Sequence, residues 1–555
     1  MNLSSRLREE GPCARRRRGE EGEIPAGRET GSRQRRNSCS VGRRWRRWNG
    51  RLVTVPDVDA VVVDGGPLTP AQVIDVALGG ATAIPGDNLA ERMGPARKLV
   101  DDAVESGETI YGITTGFGAL ATTHIGKEDS ETLQYNLIRS HATGVGEPMA
   151  DTVVRAILLL RARTLAQGHS GVRPVVVERL LEMLNRGILP LVPSQGSVGA
   201  SGDLAPFAHL ALPLIGEGEV RIDGAVVATS DVDLEPLQLQ TKEGLALLNG
   251  TEGMAAMGVL ALHRARILVK AADIACAMSV EALMGSSRPF RPEVHALRPH
   301  PGQARSAQRI AHLIHGSGIG SSHADDFDHA VQDAYSLRCA PQVHGAVSDT
   351  LDHMETVLSR ELGSVVDNPI VFPDSGEVIS AGNFHGQPLA FVLDFTAIAT
   401  AELAAISERR TDRILDPARS GGLPAFLAAN PGLDSGYMIS QYVQAALVAE
   451  NKGLVHPASV ESIPTSGSQE DHVSMGWGAG KKLFPLLDNV QRVLAIEILC
   501  AVQGIEYRTP LHPAPETAAI VDLVRSHVPT LTKDRSLSKD IEVVAGLISD
   551  GRLTG

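Results

Sequence analysis

Four segments of this 555-residue chain repeat their apolar positions at the spacing of an α-helix: Asp151–Arg186, Gly253–Met284, Leu389–Arg410 and Gly480–Gln503. Runs of this length with few internal Gly or Pro predict long packed helices. Hydrophobic residues make up 43% of the chain and aromatics only 3%. The core must therefore be built from Leu, Ala, Val and Ile, which suits helices better than a β-sandwich. A chain this long exceeds a single core and predicts at least two packed units. The helical faces are too apolar to be covered within one subunit, so the pattern also predicts association between copies.

The formal charge of −13 argues against a nucleic-acid-binding body. No uninterrupted apolar run reaches the length of a membrane span, so the expectation is a soluble protein without membrane partners. Five scattered cysteines (Cys13, Cys39, Cys276, Cys339, Cys500) show no metal spacing. They read as reduced thiols of a cytoplasmic protein. The first 51 residues are different material, with 15 Arg against 6 Glu. They contain no apolar segment that would make a secretory signal, and their charge and Gly/Ser content predict disorder over 1–52. A translation start placed too far upstream, with the native protein beginning near Val53, explains this arm most simply.

Beyond the arm, Thr69-Pro70 ahead of Ala71–Leu78 has the form of a capped helix start. Glu108–Thr115 reads as a short β-rich piece ending in glycines. Gly116 to Ala121 matches a dinucleotide fingerprint in letters, but a poor helix follows, leaving no helix N-terminus for a pyrophosphate. His315, His323, Asp325, Asp326, Asp328 and His329 cluster like metal ligands. Their spacing does not repeat, and a solvated loop entering a helix is the expected reading.

The chemically telling segment is Gly-Ser-Val-Gly-Ala-Ser-Gly-Asp-Leu-Ala at 196–205. In a sharply bent Ala200-Ser201-Gly202, the Gly202 nitrogen can attack the Ala200 carbonyl carbon with loss of one water. Loss of the Ser201 hydroxyl as a second water leaves a 4-methylidene-imidazol-5-one, an electrophile made from the backbone itself. Gly202 lacks the Cβ that would resist such a bend. Ser201 supplies the leaving group, and Ala200 is too small to obstruct closure.

Gly196–Leu210 (GSVGASGDLAPFAHL) resembles the cofactor loop of the aromatic amino acid ammonia-lyases and aminomutases. Further segments resemble that family in the same order: Tyr111–Gly118, Ser140–Pro148, Asn249–Glu252, Gln332–Gln342, Gly382–His385 and Gln469–Met475. The likeness runs from about Gly65 to about Pro510. It implies a mainly α fold, an elongated helical bundle of the ammonia-lyase (fumarase-like) type with a smaller mixed N-terminal domain. On that basis 53–255 carries the Tyr111 and cofactor loops, 256–510 the central bundle and 511–555 a C-terminal helical segment. It also implies a homotetramer whose active sites draw on several chains, with the self-made ring and no external cofactor or metal.

By the same resemblance Tyr111 is the catalytic base, a role that at neutral pH needs positive potential nearby, as converging helix N-termini would provide. Arg338 is the partner for the substrate carboxylate, because its planar fork matches two oxygens. Gln332, Tyr335 and Arg338 share one face if their stretch is helical; Pro341 could instead open the next helix after a tight turn. Tyr335 and Asn249 match residues that position ring and substrate, and Phe384 the aromatic beside the ring. Ser140-His141 and Glu470 match the histidine-selective pattern, and a carboxylate facing an imidazole can hold its N–H. The implied reaction is deamination of L-histidine to trans-urocanate and ammonia, the opening step of histidine breakdown. Thr114 and Gly467-Ser468 depart from that pattern. Thr114 with a Ser-His pair also occurs in tyrosine aminomutases, which keeps an aminomutase as the alternative and an inactive helical scaffold as a third reading.

Overall fold

The computed structural model describes residues 60–554 except Phe117, Ala121 and 325–330, together with the backbone of two strands, Arg44–Trp48 and Arg51–Val55. Those strands pair antiparallel, Trp48 opposite Arg51, within a unit spanning Met1–Asp57. The rest of the arm at 1–52 lies outside the described residues, as do Asp325, Asp326, Asp328 and His329. Val58–Gly555 forms one compact unit. The expected division at 255 falls inside its Glu252–Ala282 helix.

Periodicity locates the long helices; the structure extends the second and third at both ends and shifts the first by one or two residues. They are Glu252–Ala282, Gln387–Leu415 and Gly476–Glu506. Asp151–Arg186 divides into Asp151–Leu165 and Pro174–Arg186, because Gly168 and Gly171 take positive φ and Pro174 starts a new helix. Pro70–Ala77 begins as expected, with Thr69 and Gln72 forming a reciprocal capping box. The β-rich piece expected over Glu108–Thr115 is instead a turn with a single bridge, Thr115 to His124. The Thr114 hydroxyl takes the Ile110 N–H at 2.8 Å and donates to the Glu108 carbonyl at 2.5 Å, so a side chain satisfies backbone groups that a strand partner would otherwise claim. Small sheets of two and three strands lie between the helices, one of them, Ile370–Phe372 with Glu377–Ile379, just before the Gln387 helix.

The three long helices pack together and run the same way. Gly476 and Gly386, at the starts of two of them, lie against Met254 in the first turn of the third. At the other end Arg508, just past the Gly476 helix, donates to the Ala282 carbonyl at 2.9 Å. Two helices return between them. Ala340–Glu361 ends where Glu361 accepts from Thr251, and Met438–Leu454 pairs Gln444 with the Val493 carbonyl and Asn451 with Asn489. The bundle is thus polar, about 45 Å from end to end for the 31-residue helices, with three N-termini gathered at one end. The Gln387 helix is long and apolar enough by composition to cross a membrane, but 56% of its most apolar window is buried inside the protein. Cys276, Cys339 and Cys500 are free thiols, and burial pushes Cys276 up to about 12.

Asp203, at the start of the Leu204–Ala211 helix, ties this end together. Its carboxylate accepts from Met254 N at 3.1 Å, capping the Glu252 helix from outside, and from the Ser197 hydroxyl at 2.9 Å. Complete burial pushes the Asp203 carboxyl up to about 7, against the pull of those two donors. An unfolded aspartate loses its proton near 4 (about 3.9). The folded state therefore gains stability from this group below that pH and loses it as pH rises toward 7, on the order of 4 kcal/mol in all. Asp203→Asn removes the dependence. The Tm of the variant relative to wild type should climb between about pH 4 and about pH 7 and level off above; a flat or falling difference across that window in calorimetry contradicts this.

Candidate active site

The 196–203 loop sits where the helix N-termini meet. Val145–Pro148 pairs with Pro193–Gln195 and delivers the chain into it. Met475 N donates to the Val198 carbonyl at 2.9 Å and the Ser474 hydroxyl to the Gly199 carbonyl at 3.1 Å, both immediately before the Gly476 helix. On the other side Gly202 bridges Gly250, and Asp203 N donates to the Gly250 carbonyl at 2.9 Å. Gly199 and Gly202 have φ of +66° and +73°. A Cβ at Gly202 would overlap the Gly250 backbone outright. Only glycine fits that position, and the chain bends at Gly199, Ala200 and Ser201. Ala200 is buried and small. These residues fit the methylidene-imidazolone.

Arg161 braces the assembly from behind. It is fully buried, pairs with Glu252 at 2.9 Å, donates to the Asn249 carbonyl and lies over the Phe207 ring at 5.6 Å. Asn249 is itself buried, with its amide donating to the Asn368 carbonyl at 3.0 Å. Its neighbour Gly250 carries the contact to Gly202. Phe384 stands half-buried two residues before the Gln387 helix cap at Gly386. Beside it His385 stacks on His472 and shares a hydrogen bond with the His472 carbonyl at 3.2 Å.

In front of the loop, the Ser201 hydroxyl donates to Glu470 Oε1 at 3.3 Å. The other carboxylate oxygen, Oε2, accepts from the Thr465 hydroxyl at 2.6 Å. His141 closes the Ser130–His141 helix and lies near enough for the Glu470 charge to act on it. Burial pushes the His141 imidazole below its ordinary value, against the Leu137 carbonyl and Glu470, which pull it up. Its Nδ1 lies 2.8 Å from the Leu137 carbonyl, an acceptor only. The proton is therefore assigned to Nδ1, leaving Nε2 as a lone-pair acceptor. Gly144, three residues on, donates to His209 Nε2 on the Leu204 helix at 3.0 Å, fixing this segment to the loop. Tyr111 is half-buried in its turn, its hydroxyl accepting from Gly118 N at 3.3 Å. Ala119 N in turn donates to the Ser466 hydroxyl at 3.4 Å, which joins the Tyr111 loop to the Glu470 segment.

Three expected residues stand elsewhere. Only Tyr335–Arg338 forms a helical turn, Gln332 lies outside it, and Pro341 opens the Ala340 helix, so the shared face of all three does not form. Tyr335 is 71% exposed, with Arg338 over its ring at 4.5 Å. This turn sits at the far end of the bundle. The Ser336 carbonyl accepts from Arg410, and Asp333 accepts from Ser286 N beyond the end of the Glu252 helix. Arg410 is 23 residues along the Gln387 helix, about 35 Å from the loop. Among the described residues no group of three or more His, Cys, Asp or Glu is arranged to hold a metal.

Sequence reasoning passed over the structural roles of Arg161 and Thr465. An arginine inside the apolar run Ala156–Leu165 signals a buried ion pair. Thr465 stands outside every matched segment and gives no such signal.

The sequence pattern of the family described as aromatic amino acid lyase matches residues 68–526. The histidine ammonia-lyase of Gloeobacter violaceus is 51% identical over 499 residues, covering 89% of this chain and 97% of its own. That of Deinococcus radiodurans is 54% identical over 467 residues, covering 83% and 88%. Among solved structures, the tyrosine aminomutase of Streptomyces globisporus superposes with a TM-score of 0.85 at 41% identity, covering 89% of this chain and 98% of that one. The histidine ammonia-lyase of Trypanosoma cruzi does so with 0.82 at 42%, covering 89% and 94%. With the pattern spanning most of the chain, relatives matched over nearly their full length and the loop geometry in place, this chain belongs to the aromatic amino acid lyase family, a carbon–nitrogen lyase on a mainly helical fold.

Proposed function

We propose that this protein converts L-histidine to trans-urocanate and ammonia. The observation that carries the reading is the placement of Glu470, with one carboxylate oxygen 3.3 Å from the Ser201 Oγ that ring formation removes, so that this oxygen is freed to face the substrate beside His141. A ring bound between these residues meets an anionic acceptor and a neutral imidazole acceptor, which suits the N–H of an imidazole and offers nothing to a phenyl ring. The histidine-acting relatives at 51% and 54% identity support the same choice.

The ring formed by Ala200, Ser201 and Gly202 would supply an electrophilic exocyclic carbon for the substrate amine. Glu470 and His141 orient the imidazole, and Tyr111 takes the β-proton. The positive ends of the Leu204, Glu252, Gln387 and Gly476 helices favour negative charge accumulating near the loop. Asn249 and Phe384 line the ring, and Arg338 with Tyr335 and Gln332 receives the substrate carboxylate.

That last assignment needs a second copy of the chain, since about 35 Å of helix separates Arg338 from Ser201 within one. The exposed apolar stripe Phe391, Phe395 and Ile398, beside Ile439, Tyr442 and Val443 on the Met438 helix, supports such an assembly. We take it to be a homotetramer working in the cytoplasm, as the family resemblance implies.

Identification of the products tests the reading. L-Histidine should yield urocanate and ammonia, and Glu470→Gln should lower that turnover by roughly 30- to 1000-fold through loss of a charge-assisted hydrogen bond. A β-amino acid formed from tyrosine, with histidine ignored, contradicts it and favours an aminomutase. A second experiment tests the shared site. Ser201→Ala and Arg338→Ala chains should each be nearly inactive alone, whereas co-expressed mixtures should recover about a quarter of wild-type activity, since some sites then combine intact halves. No recovery contradicts a site built across chains.

A further inference from the structure

We propose that Thr465 is a positioning residue that sets imidazole selectivity by fixing the carboxylate of Glu470; this rests on the histidine reading above. Thr465 and Glu470 form an isolated antiparallel bridge, with Thr465 N donating to the Glu470 carbonyl at 3.0 Å and Glu470 N to the Thr465 carbonyl at 3.3 Å. Between them Ser466, Gly467 and Ser468 take φ of +52°, +62° and +66°, a run of left-handed residues that folds the chain back on itself. The energetic cost of two serines in that region indicates a conformation held by its surroundings.

Two contacts do the holding. The Thr465 hydroxyl donates to Glu470 Oε2 at 2.6 Å, which leaves Oε1 as the oxygen 3.3 Å from Ser201 Oγ. A glutamate has three rotatable bonds, whereas a β-branched threonine has one stiff torsion, so the hydroxyl fixes the carboxylate and not the reverse. On the outer side of the same turn, the Ser466 hydroxyl accepts from Ala119 N and occupies the space a Cβ on Gly118 would need, 2.5 Å away. Gly118 N is the donor to the Tyr111 hydroxyl. The 465–470 turn therefore sets Glu470 relative to both Ser201 and the Tyr111 loop. Those spacings must match a substrate whose ring N–H lies at one end and whose β-proton and amine lie at the other.

The test uses the full-length enzyme carrying Thr465→Val, which keeps the branched shape without the hydroxyl, and Thr465→Ser, which keeps the hydroxyl. Competitive inhibition by trans-urocanate and by trans-cinnamate, which lacks ring N–H groups, is measured for each, with the Tm and the mass of the 200–202 peptide as checks on fold and ring formation. Thr465→Val should weaken urocanate binding about ten-fold and leave cinnamate within about two-fold, while Thr465→Ser stays within about three-fold of wild type for both. Unchanged urocanate binding in Thr465→Val, or equal weakening of both inhibitors, overturns the proposal. A wild-type enzyme that makes no urocanate from L-histidine overturns the histidine reading and this inference together. Urocanate production with Thr465→Val indistinguishable from wild type overturns this inference alone.

Discussion

The backbone of Gly202 is pressed against that of Gly250 so closely that no side chain fits between them. This contact joins the tripeptide to the residue just ahead of the cap of a 31-residue helix, and Asp203, Arg161 and Ser474 complete the enclosure. A peptide loop in water samples many conformations and would seldom bring an amide nitrogen onto the carbonyl two residues back. Here packed helices supply the bend, so the cost of forming it is met by the folding of the whole bundle. Buried partners keep the enclosure rigid. Arg161 is desolvated but paired with Glu252, and removal of either would leave a charge stranded in the core.

The direction of the helices gives the fold its chemical sense. Three long helices begin at the loop, with two returning between them, so their N-terminal ends concentrate positive potential there, as the proposed electrophile and developing anion would need. The same polarity sends Tyr335 and Arg338 to the opposite end, beside Arg410 and Ser286. On the proposed reading, a single chain therefore carries two half-sites that face apart. The apolar stripes on the Gln387 and Met438 helices stand between those ends, where contact between copies would cover them.

Much of this was legible in the residues. Helical spacing places the bundle because apolar periodicity is a local property that packing seldom overrides over so many turns. Ala200, Ser201 and Gly202 stand out in the sequence because each step of the proposed cyclisation needs a particular residue type. Glu108–Thr115 misleads because Thr114 satisfies the backbone from its side chain, which composition does not disclose. Gln332 falls outside the helical turn because Pro341 opens the next helix, the second of the two arrangements the sequence leaves open. The resemblance implies sites shared between chains, but that Arg338 lies far from Ser201 depends on which ends of the helices meet, which no local pattern discloses. Thr465 was invisible for a similar reason: its importance comes from one hydrogen bond across a turn.

The most direct test is the mass of the peptide containing residues 200–202, released from active enzyme and from Gly202→Ala. The wild-type peptide should be lighter than its encoded mass by two waters. The variant peptide should have its full encoded mass, because an added Cβ collides with Gly250 and keeps the loop from closing. A full-mass peptide in active wild-type enzyme, or a two-water deficit in the variant, would contradict the account.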